Sequence, residues 1–213
     1  NNKNHGLTND YLCTASKIEV HFEDDLKTRK AGTGTAFFVK NAKNEICMVT
    51  NRHVVDLDYN EKTGKYKNFK LKQVVIHNKE KDSTTGLPTE SNDLIIINHA
   101  DFKFSDKYEN DVACLSNIQA VDIKGKAPKV SFWIPFELIS DSNKINEKLV
   151  VCDLVAFPGF PDWYDKKNNL PILRTGTIAS DPRLDYSFTG NHDGECIAYE
   201  AFSYGGSSGS PIF

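Results

Sequence analysis

Val49-Thr50-Asn51-Arg52-His53-Val54-Val55-Asp56 places a histidine directly after a short apolar run. Upstream, Thr35 to Val39 and Ile46 to Thr50 are two apolar runs joined by the polar stretch Lys40-Asn41-Ala42-Lys43-Asn44, which reads as a β-hairpin. Working outward, Ile18-Glu19-Val20-His21-Phe22 alternates apolar and polar, as a half-buried strand does. Further strand candidates are Leu71–His77, Leu94–Asn98, Val112–Leu115, Leu149–Phe157, Ile172–Ala179 and Cys196–Ala201. Helical periodicity is hard to find, and Phe136–Ile139 makes one helical turn at most. Leu57–Asn68 and Asn78–Asn92 read as solvated loops. Many short strands between turn signals point to an all-β sandwich or barrel.

The 213 residues are 39% apolar and 26% charged. A chain of that size buries roughly 70% of its unfolded surface, which excludes wholesale disorder. The net charge of -3 gives no basic footprint for nucleic acid and no polybasic patch for a membrane. The best apolar run, Leu94-Ile95-Ile96-Ile97, is far short of the ~20 residues of a membrane helix. The first residues, Asn1-Asn2-Lys3-Asn4-His5, contain no signal-peptide core; they also lack an initiator Met, so a leader removed upstream is compatible with them. The 5 cysteines stand singly with no C-x-x-C pair, so neither a metal site nor a redox motif is expected. They read as reduced core thiols, which favours the cytoplasm, although a disulfide between distant strands stays open. Composition breaks near Lys124-Gly125-Lys126-Ala127-Pro128, giving halves 1–125 and 126–213.

Three segments carry chemistry only in combination. His53 follows a strand, and histidine's unperturbed pKa of ~6.5 suits a general base, but a lone histidine is more often structural. Asp111, in Glu109-Asn110-Asp111-Val112-Ala113-Cys114-Leu115, opens an apolar strand, as many capping residues do. Asp93, in Asn92-Asp93-Leu94-Ile95-Ile96, does the same and is a rival acid. Tyr204-Gly205-Gly206-Ser207-Ser208-Gly209-Ser210-Pro211 reads either as a flexible linker or as a tight turn presenting a nucleophilic Ser208. Backbone N–H groups converging in such a turn form an oxyanion hole, worth about 3–4 kcal/mol of transition-state stabilisation per donor. Strand-like residues on both sides, Ile197-Ala198-Tyr199 and Pro211-Ile212-Phe213, argue against the linker. The order His53, Asp111, Ser208 differs from the subtilisin and α/β-hydrolase orders, and Gly-x-Ser-x-Gly fails because Ser210 stands in the last position.

On these motifs the chain resembles the trypsin-like, chymotrypsin-fold serine peptidases, from about Ser16 to Phe213. Gly34–Val39 with Val49–Val55 looks like the family's first hairpin and histidine motif, and Asn110-Asp111-Val112-Ala113 like its aspartate motif. Gly206-Ser207-Ser208-Gly209-Ser210-Pro211 looks like its serine motif. Ala156–Pro161, Leu170-Pro171-Ile172 and Arg174–Ala179 are similar to a bacterial branch of that family. The resemblance implies two six-stranded antiparallel β-barrels with the active site in the cleft between them. It favours Asp111 over Asp93, because Asp-Val-Ala-x-Leu matches the family run. It implies a triad of His53, Asp111 and Ser208, an oxyanion hole from the Gly206 and Ser208 N–H groups, and protein or peptide substrates with no cofactor.

The chain also departs from the family. Ser207 stands where the digestive enzymes carry an Asp that pairs with a newly cut N-terminus. Phe202 stands where trypsin places its specificity acid, so that residue supports no Arg or Lys preference. Family members continue past the serine motif, whereas this sequence stops at Phe213, which raises a further C-terminal segment or an activating partner as expectations. Two other functions follow from the same residues: a protease-fold module that binds a partner without cleaving, and a serine hydrolase acting on esters.

Overall fold

Residues 16–23 alternate between buried and half-buried, and the strand they belong to organises the fold. The structure, a computed structural model, describes residues 8–213 apart from 62, 91, 117, 119, 120, 123, 124, 126, 127, 192, 203 and 204. Strand β1 (Ala15–Glu23) pairs antiparallel with β2 (Arg29–Lys40), and β2 with β3 (Ile46–Thr50). That is the expected hairpin, with β2 starting earlier. Its turn is closed by the Asn41 side chain, whose Oδ1 accepts from the N–H groups of Lys43 at 3.0 Å and Glu45 at 2.9 Å.

A single turn, α1 (Asn9–Leu12), precedes β1; beyond β3 come α2 (Arg52–Val55), α3 (Leu57–Glu61), β4 (Lys70–Asn78), β5 (Asp93–Asn98), β6 (Lys103–Phe104), β7 (Ala113–Leu115), β8 (Val121–Asp122) and β9 (Ile134–Pro135). These strands form one sheet in the order β6-β7-β3-β2-β1-β4-β5-β8, with β9 added parallel to β2. Register makes the core: Ile18 faces Ile76, which faces Ile95, and Val20 faces Val74, which faces Ile97. All six are at most 3% exposed. Fully burying each aliphatic side chain contributes roughly 1.5–3 kcal/mol, so these two cross-strand rows hold the sheet.

After a 3₁₀ turn (Phe136–Leu138) and α4 (Ser142–Lys148), the second sheet comprises β10 (Leu154–Gly159), β11 (Ile172–Ile178) and β12 (Tyr199–Ala201). Phe213 extends it, exchanging two 2.8 Å backbone hydrogen bonds with Ala156 of β10. The architecture is mostly β in two sheets, the chymotrypsin-like class expected. Neither sheet closes on itself among the described residues, so the expected six-stranded barrels are not seen as such. The first sheet ends on β6 and β8, and the second has three strands, with Leu154 at the start of β10 and Phe202 just past β12 about four-fifths exposed.

Several local readings need correction: Leu57–Asn68 opens with helix α3 around the buried Tyr59, and of Cys196–Ala201 only Tyr199–Ala201 is strand. Leu149–Asp153 is not strand, because Cys152 turns the chain with φ of 72°. Helix α4 gave no periodic signal because it buries no residue; its sequence mark is the N-cap Asp141, whose carboxylate accepts from Lys144 N–H at 2.9 Å. The five cysteines are unpaired; four are partly buried and Cys152 is exposed, so none is a fully buried core thiol. The boundary read near Lys124–Pro128 falls largely outside the described residues. Strand β9, C-terminal to it, still belongs to the first sheet.

Candidate active site

His53 lies in the single turn of α2, directly after β3. Gly34 lets that turn settle onto β2: a Cβ there would stand 2.7 Å from Val54 Cγ1. Val54 and Val55 are buried in the core, which aims His53 the other way, with its side chain 26% exposed. Asp111 lies two residues before β7, which pairs with β3. The pairing of β3 and β7 thus brings the two residues together across 58 positions of sequence.

The contact is two-pronged. Asp111 Oδ2 lies 2.5 Å from His53 Nδ1, and Oδ1 accepts the His53 backbone N–H at 2.9 Å. Burial works against the ionised form of Asp111. The hydrogen bonds from the His53 ring and backbone, and from the Arg52 backbone N–H, outweigh it and hold the carboxyl below its ordinary value. Asp93 opens β5, from which β3 is separated by β4, β1 and β2, and among the described residues the hydrogen bonds and ion pair of His53 are with Asp111.

Arg52 braces this arrangement from outside. Its guanidinium lies 4.8 Å from the Tyr59 ring, 4.4 Å from Phe104 and 4.8 Å from Tyr108, and Nε donates to Asp56 at 3.0 Å. Cation–π contacts contribute about 0.5–2 kcal/mol each. Arg52→Ala is therefore expected to lower stability by about 1–3 kcal/mol, read as a lower urea midpoint with an unchanged slope.

The serine motif forms a tight turn, not a linker. Thr35 N–H donates to Ser208 O at 2.8 Å, and Thr35 Oγ1 donates to Gly206 O at 2.8 Å. Gly206 and Gly209 both have φ of 90°. At Gly209 the chain passes so close to β2 that a Cβ would meet Thr35 O at 1.9 Å. Among the described residues, neither the Gly206 nor the Ser208 N–H donates a hydrogen bond, and none joins Ser208 to His53.

Asn51 ties the parts together. Its Nδ2 donates to Asp111 O at 2.6 Å and its Oδ1 accepts Gly209 N–H at 2.5 Å. Asn51 had no role in the sequence reading. Its one signal was an amide, able to donate and accept at once, two residues before the histidine. Ser208 lines a concavity of about 340 Å³ with Asn51, Phe157, Tyr199 and Ile212. Phe202 is not part of it: that side chain is 84% exposed and borders a separate groove with Leu154 and Glu200.

A family model for the trypsin-like peptidase domain matches residues 34–213. The chain belongs to the trypsin-like peptidase family. Similar solved structures agree on the fold. One is Deg5, at 18% identity and TM-score 0.50, covering 95% of this peptidase and 74% of that chain. Another is AL20, a thermostable serine protease from an extremophilic microorganism, at 15% identity and TM-score 0.52, covering 96% and 79%. A third is the HtrA-type protease AlgW, solved with a decapeptide, at 14% identity and TM-score 0.51; the peptidase is covered over 94% of its length and spans 51% of that chain. No match was found among curated protein sequences. No described helix of the peptidase is long and apolar enough to cross a membrane.

Proposed function

We propose that the peptidase is a serine endopeptidase in which Ser208 attacks a peptide carbonyl, His53 takes the Ser208 proton, and Asp111 orients His53. As the tetrahedral adduct forms, the substrate oxygen gains charge, and the Gly206 and Ser208 N–H groups receive it. His53 then returns the proton to the leaving amine, leaving an ester on Ser208 that water cleaves by the same route. In this reading the halves 1–125 and 126–213 divide the work: acid and base stand on the first, nucleophile and oxyanion donors on the second.

The observation that carries the reading is the Asn51 link. One side chain bonds both the Asp111 backbone and the turn that presents Ser208. A link between the Asp111 backbone and the turn that carries Ser208 supports the reading of His53, Asp111 and Ser208 as one site. The decapeptide solved with AlgW supports peptides as the substrate class.

The test is labelling with a fluorophosphonate, read by intact mass. Wild-type protein is expected to gain one adduct, and Ser208→Ala none. An adduct that persists in Ser208→Ala removes Ser208 as nucleophile. No adduct on wild type moves the reading to a peptide-binding module that does not cleave.

A further inference from the structure

Arg174, in the middle of β11, is only 6% exposed. Its Nη1 donates a short hydrogen bond to Ser207 Oγ, and its guanidinium lies over Phe157, 4.7 Å from the ring centroid. Its Nε and Nη2 are buried without a hydrogen-bond partner among the described residues, and no described carboxylate forms an ion pair with it. A buried cation without an anion is costly, and an apolar side chain of similar volume often replaces such a group at no loss of stability. Folding alone therefore does not account for an arginine at this position. Its directed contact is with the residue before Ser208.

The surroundings are shaped for that contact. At Gly159, which ends β10, a Cβ would stand 2.8 Å from Arg174 Nη2 and 2.5 Å from Ser210 Oγ. The bare backbone there is what lets the arginine arm and the serine turn pass each other. At Gly206 a Cβ would meet Phe160 O at 2.1 Å, so the turn lies directly on the chain leaving β10. Thr35 fixes the turn from the first sheet through the carbonyls of Gly206 and Ser208. From the second sheet, Arg174 holds it through the Ser207 side chain. Arginine suits this task better than lysine because its flat guanidinium stacks on Phe157 while an N–H donates in plane.

We propose that Arg174 is a positioning residue of the nucleophile turn, acting through Ser207 to hold the Gly206 and Ser208 N–H groups where they receive the substrate oxyanion. In its catalytic consequence this rests on the serine-peptidase reading; in its structural part it does not. Arg174 touches no reacting atom. Its effect passes through the peptide units on either side of Ser207. A misplacement on the order of 1 Å in such a site costs roughly 10²-fold in rate.

The test uses Arg174→Met, Ser207→Ala and the double variant of the intact chain, with two readouts. The first is amide hydrogen exchange. In both single variants, exchange at Thr35 and Gly209 is expected to rise at least about tenfold while β1 and β4 keep their protection, the mark of local rather than global loosening. The second is peptide hydrolysis. Each single variant is expected to lower kcat by roughly 10²-fold with KM little moved, and the double variant to fall no further than either. Ser207→Ala covers the case in which Arg174→Met does not fold. Unchanged exchange at Thr35 and Gly209 overturns the proposal, and so do effects on kcat that simply multiply. Hydrolysis that survives in Ser208→Ala, or that wild type lacks, sinks the serine-peptidase reading alone, because the exchange readout still decides on Arg174.

Discussion

Asp111→Asn is expected to lower kcat by about 10⁴-fold and leave KM close to wild type. The reason lies in the two contacts between the residues. Asp111 accepts at both oxygens, from the His53 ring at 2.5 Å and from the His53 backbone N–H at 2.9 Å. An asparagine has one accepting oxygen and one donating nitrogen. If the oxygen keeps the backbone N–H, the amide nitrogen faces Nδ1 and forces that atom to accept. The ring proton then sits on Nε2, where a general base needs a lone pair. The fold changes little, so substrate binding survives while proton transfer fails. Steady-state kinetics on a peptide substrate checks this, and an equal loss in kcat/KM through KM would contradict it.

The same substitution has a signature in pH. Asp111 titrates below its ordinary value in the folded chain. A carboxyl lowered in this way adds stability that is complete above the unfolded carboxylate pKa of ~3.9 and is lost as pH falls through the folded value. Asp111→Asn should therefore flatten the acid limb of the stability curve below about pH 4 and leave the neutral region unaltered in slope.

Gly209→Ala is expected to be among the most damaging single-methyl changes in the chain. Its φ of 90° is strained for any L side chain, and the added Cβ would lie 1.9 Å from Thr35 O and 2.5 Å from Thr50 Oγ1. Thr35 and Thr50 are at most 2% exposed and linked by a 2.7 Å hydrogen bond, so neither can withdraw freely. The left-handed conformation costs about 1–2 kcal/mol and overpacking about 1–3 kcal/mol. At roughly 2–4 °C per kcal/mol, the melting temperature should fall by about 5–15 °C. Fluorophosphonate labelling should be lost as well, because relief of the clash moves the turn that carries Ser208. A variant that melts and labels like wild type would show that the turn is not held against β2 as described.

The first sheet was legible because its strands carry their own pattern. In β1 the alternation of Ile18, Val20 and Phe22 with polar residues sets both the period and the buried face, and the polar stretch 40–44 fixes the hairpin register. The motifs around His53, Asp111 and Ser208 were legible because each is contiguous. What could not be read was anything depending on contacts between distant segments. Asn51 and Arg174 lie within recognisable motifs whose pattern does not reveal what they do, since a side chain's partner 33 or 158 positions away leaves no periodic trace. Helix α4 escaped for a related reason: it packs no face against the core and so has no apolar stripe to display. Phe202 was placed by spacing alone, and spacing carries no information on where an exposed side chain points.

The Asn51 bridge has a consequence for what acid does to the molecule. A primary amide carries no proton that titrates in the range where carboxylates do. The strut joining the Asp111 backbone to the turn that carries Ser208 is therefore indifferent to acidification, whereas the Asp111 carboxylate is not. Acid below about pH 4, where Asp111 takes a proton, is expected to stop the proposed chemistry while the Asn51 link stays in place, so that returning to neutral pH restores turnover at the speed of a proton rather than at the speed of refolding.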